Sequence, residues 1–322
     1  MTISIAGAGV AGLCCALELA KAGFAVEVFE QGDSLDANGC SRFAGGMLAP
    51  WCETESAEPE VLELGRLAVD WWDGVTDVTR AGTLVVAPRR DASELTRFAN
   101  RTTAHRDADI DALEPALSGR FSRGLFYDQE AHLDPRQALR DLAAACQEQG
   151  VAIHFGTPAP DPVDVDGGGV AAMDVLTDLR PVRGEMVILK SRDVTLTRTV
   201  RLLHPRFPVY VVPRGDGVFM VGATMIESAN WGPVPLRSMM ELLGAAYALH
   251  PGFAEAEIIE TGVGLRPAYP DNLPRLTQVG GTFYVNGLYR HGYLRAPAMA
   301  AQLAERLLQE NRFDNHRERH RA

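Results

Sequence analysis

Two groups of residues carry chemistry by their type and spacing. The stretch "NGLYRHGYLRAP", residues 286–297, sets Arg290 and His291 side by side between Gly287 and Gly292, just ahead of an apolar run. A helix N-terminus already favours anions through its dipole. An arginine in the turn before it is therefore either a solvated loop residue or part of a site for something negative. At the other end of the chain, "ISIAGAGVAGLCCALELAKAGFAVEVFE" spaces Gly7, Gly9 and Gly12 as GxGxxG. The first glycine permits a tight turn, the second lets backbone approach a pyrophosphate, and the third allows a helix to pack closely on a strand. Glu30 follows at the end of the next apolar run. A carboxylate there can accept hydrogen bonds from ribose hydroxyls and disfavours a 2′-phosphate, so FAD or NAD is expected over NADP.

These residues need particular elements to hold them. Residues 2–6 read as a buried strand, 11–22 as a helix and 25–30 as a second strand, which is a βαβ unit with the glycines in its first turn. Residues 31–60 are loop-rich, residues 59–72 have helical spacing, "GTLVVAP" reads as a strand, and 89–120 are polar and mainly helical. "DPRQALRDLAAACQEQG" is a helix with Asp134 as its cap, Pro135 in its first turn and Gly150 at its end. From residue 185 to 223 the pattern changes to successive strands, "EMVILK", "VTLTRTVRLL", "PVYVVPR" and "GVFMVGAT", joined by short turns. That implies an antiparallel or mixed sheet, unlike the parallel unit at the start. A helix over 235–250, strands in "AEIIETGVGLRP" and "GTFYVNGL", and a last helix over 298–309 behind Pro297 complete the chain, with a polar tail expected to fray.

The fold expected is thus α/β: a Rossmann-like FAD-binding domain interleaved with a substrate domain built on a mixed or antiparallel β-sheet. The boundaries expected are 1–76, 128–188 and 262–322 for the first part, and 77–127 and 189–261 for the second.

Bulk properties narrow the function. The chain has 322 residues, 46% of them hydrophobic, and a net charge of −11, so nucleic acid or an acidic membrane surface is not an expected partner. Its five cysteines, Cys14, Cys15, Cys40, Cys52 and Cys146, are odd in number and lack CxxC spacing, which suggests neither a zinc site nor a disulfide framework. No apolar stretch is long enough to span a bilayer and no signal-peptide pattern begins the chain. A reducing cytoplasm fits. No histidine, lysine or tyrosine stands in the setting an NAD enzyme would use, whereas the return of the chain to its nucleotide domain suits a flavin.

The segments "FAGGMLAPW", "AHLDPR", "LRPVRGEM", "RLLHPRFPVYVVPRGDGVFMVGATMIES", "GLRPAYPDNLP" and "NGLYRHGYLRAP" resemble, in order and over nearly the full chain, the glycine-oxidising branch of the D-amino-acid oxidase family of flavoproteins. The resemblance implies FAD as cofactor and a small amino acid and O2 as substrates. It implies hydride transfer from the substrate Cα to the flavin, hydrogen peroxide as product, and an imine that becomes glyoxylate or feeds the thiamine thiazole. Sarcosine or D-amino acids are the alternative substrates, and a tRNA-modification role is disfavoured by the acidic chain. A thiazole synthase as partner and a homo-oligomer stay open. No catalytic acid or base is required. Non-covalent flavin is expected, because the covalently modified relatives use a late cysteine and none follows Cys146.

By the same resemblance Arg290 lies near the substrate carboxylate and the flavin, Tyr210 gives a hydroxyl to that carboxylate, and Met225 bounds the pocket. Gly287 and Gly292 border the ring, His291 orients the turn, and Gly45, Gly46, Met47, Gly169 and Tyr293 belong to the cofactor site. Arg266 in "GLRP" is the expected carboxylate anchor: a guanidinium makes two parallel, charge-assisted bonds to a carboxylate. Two positions depart from the pattern. Arg295 stands where an apolar residue is usual, and either adds charge near the flavin or points to solvent. The glycine run 167–169 replaces a single glycine and is expected to loosen its loop.

Overall fold

The computed structural model describes residues 2–35, 39–55, 60–204 and 208–319. Strands Thr2–Ala6 and Ala25–Glu30 pair in parallel around helix Val10–Lys21, as the opening βαβ pattern requires. Among the described residues their sheet has six strands, and most of its members come from distant parts of the chain. Val165–Asp166 pairs on one side of Thr2–Ala6 and Ala152–Phe155 beyond Ala25–Glu30, both parallel. Thr282–Asn286 pairs with Val165–Asp166, and Arg275–Val279 closes the edge antiparallel. The last four of these strands lie beyond residue 150, which is the interleaving the sequence implied.

Among the described residues the second sheet has nine strands and is mixed. Its spine is the long strand Arg180–Lys190, paired antiparallel with Glu257–Ala268 on one side and with Val218–Gly222 on the other. Thr83–Val86 pairs in parallel with Thr199–Leu202, so residues before and after the 150s share this sheet. Two of the expected domain boundaries, 188/189 and 261/262, therefore fall inside strands of one sheet. "VTLTRTVRLL" yields strand only over Thr199–Leu202.

Each sheet has its own core. Leu13, Leu17 and Leu19 of the first helix, Leu139 and Leu142 of helix Pro135–Glu148, and Leu294 and Leu303 of the last helix pack with the first sheet's Ile5, Val28 and Val285. Leu84, Val187, Val200, Val211 and Val221 of the second sheet pack beneath Leu242, Ala246 and Leu249 of helix Leu236–Leu249. Helix Pro135–Glu148 begins as its sequence dictates: the Asp134 carboxylate accepts from the N–H groups of Arg136 and Gln137.

The last helix departs from expectation. It begins at Gly292, runs to Arg319 through the polar stretch expected to fray, and contains Pro297 rather than following it. A proline inside a helix withdraws the N–H that would reach the carbonyl four residues earlier. That carbonyl belongs to Tyr293, and the buried indole of Trp72 donates to it at 2.6 Å instead. The 59–72 helical segment is observed as two short helices, Glu60–Gly65 and Ala68–Asp73; Pro59 lies outside the described residues.

Candidate active site

A cavity of about 1030 Å³ is walled by residues of both sheets. Gly7, Gly9 and Glu30 line it at one end, and Tyr210, Arg266 and Arg290 at the other.

At the first end the glycines are dictated by close approach. Gly7 has φ of 90°, and a side chain on Gly12 would collide with the Gly7 carbonyl oxygen. Gly12 does not line the cavity; it lets the helix sit against the turn. The run 167–169 is packed, not loose. A Cβ on Gly167 would stand 2.8 Å from the Gly12 nitrogen, and one on Gly7 would stand 3.2 Å from Gly168 Cα. Two backbone segments touch here with no room for side chains, so more than one glycine is required. The Asn286 amide holds the Gly169 carbonyl at 2.9 Å, and Gly169 lines the cavity.

The Glu30 carboxylate accepts from the N–H groups of Ala8 and Gly32, each at 2.8 Å, and so ties the glycine turn to the strand end. A carboxylate offers about four lone-pair sites, which leaves acceptors for ribose hydroxyls. The first helix has Gly9 as its cap, with no acidic residue in its first turn. The N-terminus of the helix, its dipole and an acceptor at the right spacing fit a dinucleotide.

Gly45, Gly46 and Met47 also line the cavity. A Cβ on Gly45 would come within 2.7 Å of the Tyr210 ring, so glycine lets the tyrosine approach this segment closely. Arg214, which the sequence did not single out, holds the segment from behind: its guanidinium donates to the carbonyls of Leu133 at 2.6 Å and Gly45 at 2.9 Å. Burial lowers its pKa to about 10.

At the second end a buried carboxylate organises the charges. Glu53 is 5% exposed and accepts from Arg201 at 2.5 Å and from Arg290 at 2.6 Å. Burial alone would raise its pKa, but the two guanidinium groups and His291 outweigh this and hold the carboxyl below the usual carboxylate range. Neither Glu53 nor Arg201 was legible as a site residue, because they are brought to Arg290 from positions 237 and 89 residues away in the chain. Arg290 also donates to the Met225 sulfur at 3.1 Å.

His291 is buried, and that burial pushes its imidazole down to about 3, with Arg290 and Arg295 reinforcing and Glu53 opposing. It is therefore a neutral ring against the Glu53 carboxylate, with Nδ1 3.6 Å from Oε2, and it lines the cavity with Gly292 and Tyr293. The Tyr293 hydroxyl donates to the Pro135 carbonyl at 2.9 Å, a tie between helices. Gly287 does not line the cavity: it has φ of 76°, and a side chain there would strike the Tyr269 ring, so its part is to shape the turn. Arg295 does not point to solvent. It is 1% exposed and donates to the Asn272 carbonyl at 3.2 Å, and burial lowers its pKa to about 10.

Arg266 differs from the other arginines that line the cavity, Arg97, Arg201 and Arg290, each of which pairs with a carboxylate. Its guanidinium lies over Gly184 and donates to the Thr224 carbonyl at 3.0 Å. Among the described residues no carboxylate pairs with it, although it faces the cavity beside Tyr210. The arrangement can take one anionic group on Arg266 and hold it against a ligand that extends from the glycine turn.

Known proteins are similar to this chain over nearly its full length. "Putative thiamine biosynthesis oxidoreductase ThiO" of Rhizobium etli is 56% identical over 319 residues, 96% of this chain and 97% of that protein. A glycine oxidase of Pseudomonas aeruginosa is 26% identical, over 94% of this chain and 93% of that protein. The crystal structure of a glycine oxidase from Geobacillus kaustophilus superposes with a TM-score of 0.79 at 23% identity, covering 94% of each chain. The family described as DAO, FAD dependent oxidoreductase, matches residues 2–306, and with its glycine turn, Glu30 and a cavity running from them to Arg266, this chain belongs to that family.

Proposed function

We propose that this FAD-dependent oxidoreductase is a glycine oxidase that serves thiamine biosynthesis. The observation that carries the reading is Arg266, a cavity-facing guanidinium without a carboxylate partner among the described residues. The likeness to the Rhizobium etli protein supports the pathway, and the likeness to glycine oxidases supports the substrate.

The residues divide the work by position. Arg266 takes the substrate carboxylate through two charge-assisted bonds, with the Tyr210 hydroxyl beside it. Arg290, held by Glu53, supplies positive charge at the mouth of the turn, and Met225 bounds the space next to it. Gly7, Gly9, Glu30, Gly45, Gly46, Met47 and Gly169 would hold FAD, which would supply two-electron oxidation of the substrate with O2 as final acceptor and hydrogen peroxide as product. With the carboxylate fixed, loss of two electrons and two protons turns the substrate amine into an imine, and water converts that imine to glyoxylate and ammonia. Positioning and electrostatics supply the rate, so no acid–base residue is assigned. Division into a cofactor part and a substrate part follows the two sheets. Transfer of the imine to a thiazole synthase is part of the same reading, as is non-covalent attachment, since no cysteine follows Cys146 in the sequence.

A larger amine such as sarcosine or a D-amino acid is the second reading, favoured by an open mouth: Met225 is 48% exposed and Trp231, also on the cavity wall, 56%. Anaerobic addition of glycine, sarcosine and D-alanine to the FAD-loaded protein separates the two. Bleaching of the flavin band by glycine at the lowest concentration is expected; bleaching by a bulkier amine alone would move the protein out of thiamine synthesis. In Arg266→Ala the flavin band remains, and glycine binding falls by on the order of 100-fold or more.

A further inference from the structure

Strand Arg180–Lys190 carries the triplet Arg183, Gly184, Glu185 opposite the end of strand Glu257–Ala268, with Val182 paired to Arg266 and Gly184 to Gly264. Side chains alternate along a strand. Gly184 shares the cavity face with Arg266, and any side chain on it would run into the Arg266 guanidinium. Arg183 and Glu185 fall on the other face, where they are 4% and 0% exposed and joined at 2.6 Å.

The partners of this pair are unusual in where they lie. The Glu185 carboxylate accepts the Thr224 hydroxyl at 2.9 Å, the Glu185 N–H donates to the same hydroxyl oxygen at 2.9 Å, and the Thr224 N–H donates to the Glu185 carbonyl at 3.1 Å. Thr224 is thus gripped three times by one residue, and its own carbonyl is the group that holds Arg266. The Arg183 guanidinium donates its remaining groups to the Asn230 and Pro233 carbonyls, on either side of Trp231 at the cavity wall. A buried ion pair is a weak source of stability compared with apolar packing and is best explained where it specifies a geometry. Apart from the bond that joins the two, the side-chain hydrogen bonds of this pair go to the segment from Thr224 to Pro233.

We propose that the Arg183–Glu185 pair is the positioning device of the substrate anchor: it fixes Thr224, whose carbonyl sets the direction of the Arg266 guanidinium over Gly184, and it pins the wall that carries Trp231. Neither residue touches the substrate. The inference rests on the reading of Arg266 as the carboxylate anchor.

The test uses FAD-loaded protein, with acetate as a carboxylate probe read through the flavin spectrum and glycine reduction followed anaerobically. Thr224→Val removes the hydroxyl and keeps the carbonyl. It is expected to weaken acetate and glycine binding about tenfold while the limiting rate of flavin reduction changes less than about threefold, because displacement of the anchor acts before chemistry. Thr224→Ser, which restores the hydroxyl, returns both affinities. The charge-neutral double variant Arg183→Met/Glu185→Gln is expected to repeat the Thr224→Val result; if it does not fold, the Val and Ser pair decides alone. Acetate binding in Thr224→Val within twofold of the parent, with Arg266→Ala still defective, overturns the positioning role and leaves the anchor standing. Unchanged acetate binding in Arg266→Ala overturns the anchor itself, and the positioning role with it.

Discussion

Glu130 shows how a single burial sets a pH response. It is 1% exposed, accepts the Cys52 N–H at 2.7 Å through one oxygen, and has no hydrogen-bond partner for the other among the described residues. Desolvation is the largest influence and lifts its carboxyl to about 7, against partial opposition from its hydrogen bonds and Arg201. An acid whose folded pKa is raised holds its proton in the native state after the unfolded chain has lost it. Stability from this group therefore falls as pH rises from the ordinary glutamate range towards 7. Glu130→Gln keeps an acceptor for Cys52 and removes the titration. Its unfolding free energy relative to the parent is expected to rise between pH 5 and pH 8 by up to about 3 kcal/mol. Urea unfolding of both proteins across that range checks it, and parallel pH profiles would refute it. Glu53 is opposite in sign, since its arginines hold it ionised. One glutamate has cations aimed at it and the other does not, a distinction that residue type alone cannot supply.

At the scale of elements, the last helix shows a local rule overridden by a tertiary partner. Pro297 reads as a helix boundary because proline removes a donor, yet the helix starts five residues earlier at Gly292. The Trp72 indole from helix Ala68–Asp73 satisfies the Tyr293 carbonyl that proline leaves open. Trp72→Phe is expected to cost about 1–3 kcal/mol through that orphaned buried carbonyl. In a Pro297→Ala background the helix regains its own N–H, and the same substitution should cost about 1 kcal/mol less. A double-mutant cycle by thermal or urea unfolding measures the difference, and additivity would show that the indole does not stand in for the missing donor. The elements that were legible, the opening βαβ unit and the capped helix at Asp134, are those whose signals lie within a few residues. Short strands such as Val165–Asp166 and Ala152–Phe155 have too few residues for a period to show, and they exist because the first sheet offers them an edge.

For the whole molecule, the cavity is the place where both sheets meet, so a ligand filling it joins two cores that otherwise have separate packing. FAD binding to the native state alone stabilises by mass action, about 2.7 kcal/mol at 100 times its dissociation constant. The thermal midpoint is accordingly expected to rise with FAD concentration, and in FAD-free protein the unfolding of the two cores should become less cooperative. Calorimetry with graded FAD checks both; a midpoint independent of FAD would mean that the native state does not bind the nucleotide in preference to the unfolded chain. Among the described residues no helix is long and apolar enough to cross a membrane, and none of the groups of His, Cys, Asp and Glu is suited to hold a metal ion.

What the amino-acid sequence determined by itself was everything set by short-range geometry and type: the glycine turn and its acidic partner, the change from a parallel unit to a strand-rich insert, and Arg266 and Arg290 as charges in need of a reason. The tertiary structure alone decided which of those charges is already answered. Glu53 reaches Arg290 and Arg201 only after the chain has folded back on itself twice, while Arg266 is left facing the cavity with a carbonyl and a glycine for neighbours. The glycine run 167–169 has the same cause, since its need for small residues comes from a backbone 155 residues away at Gly12. Coulomb interactions and steric exclusion depend on distance in space, and separation along the chain carries almost no information about it.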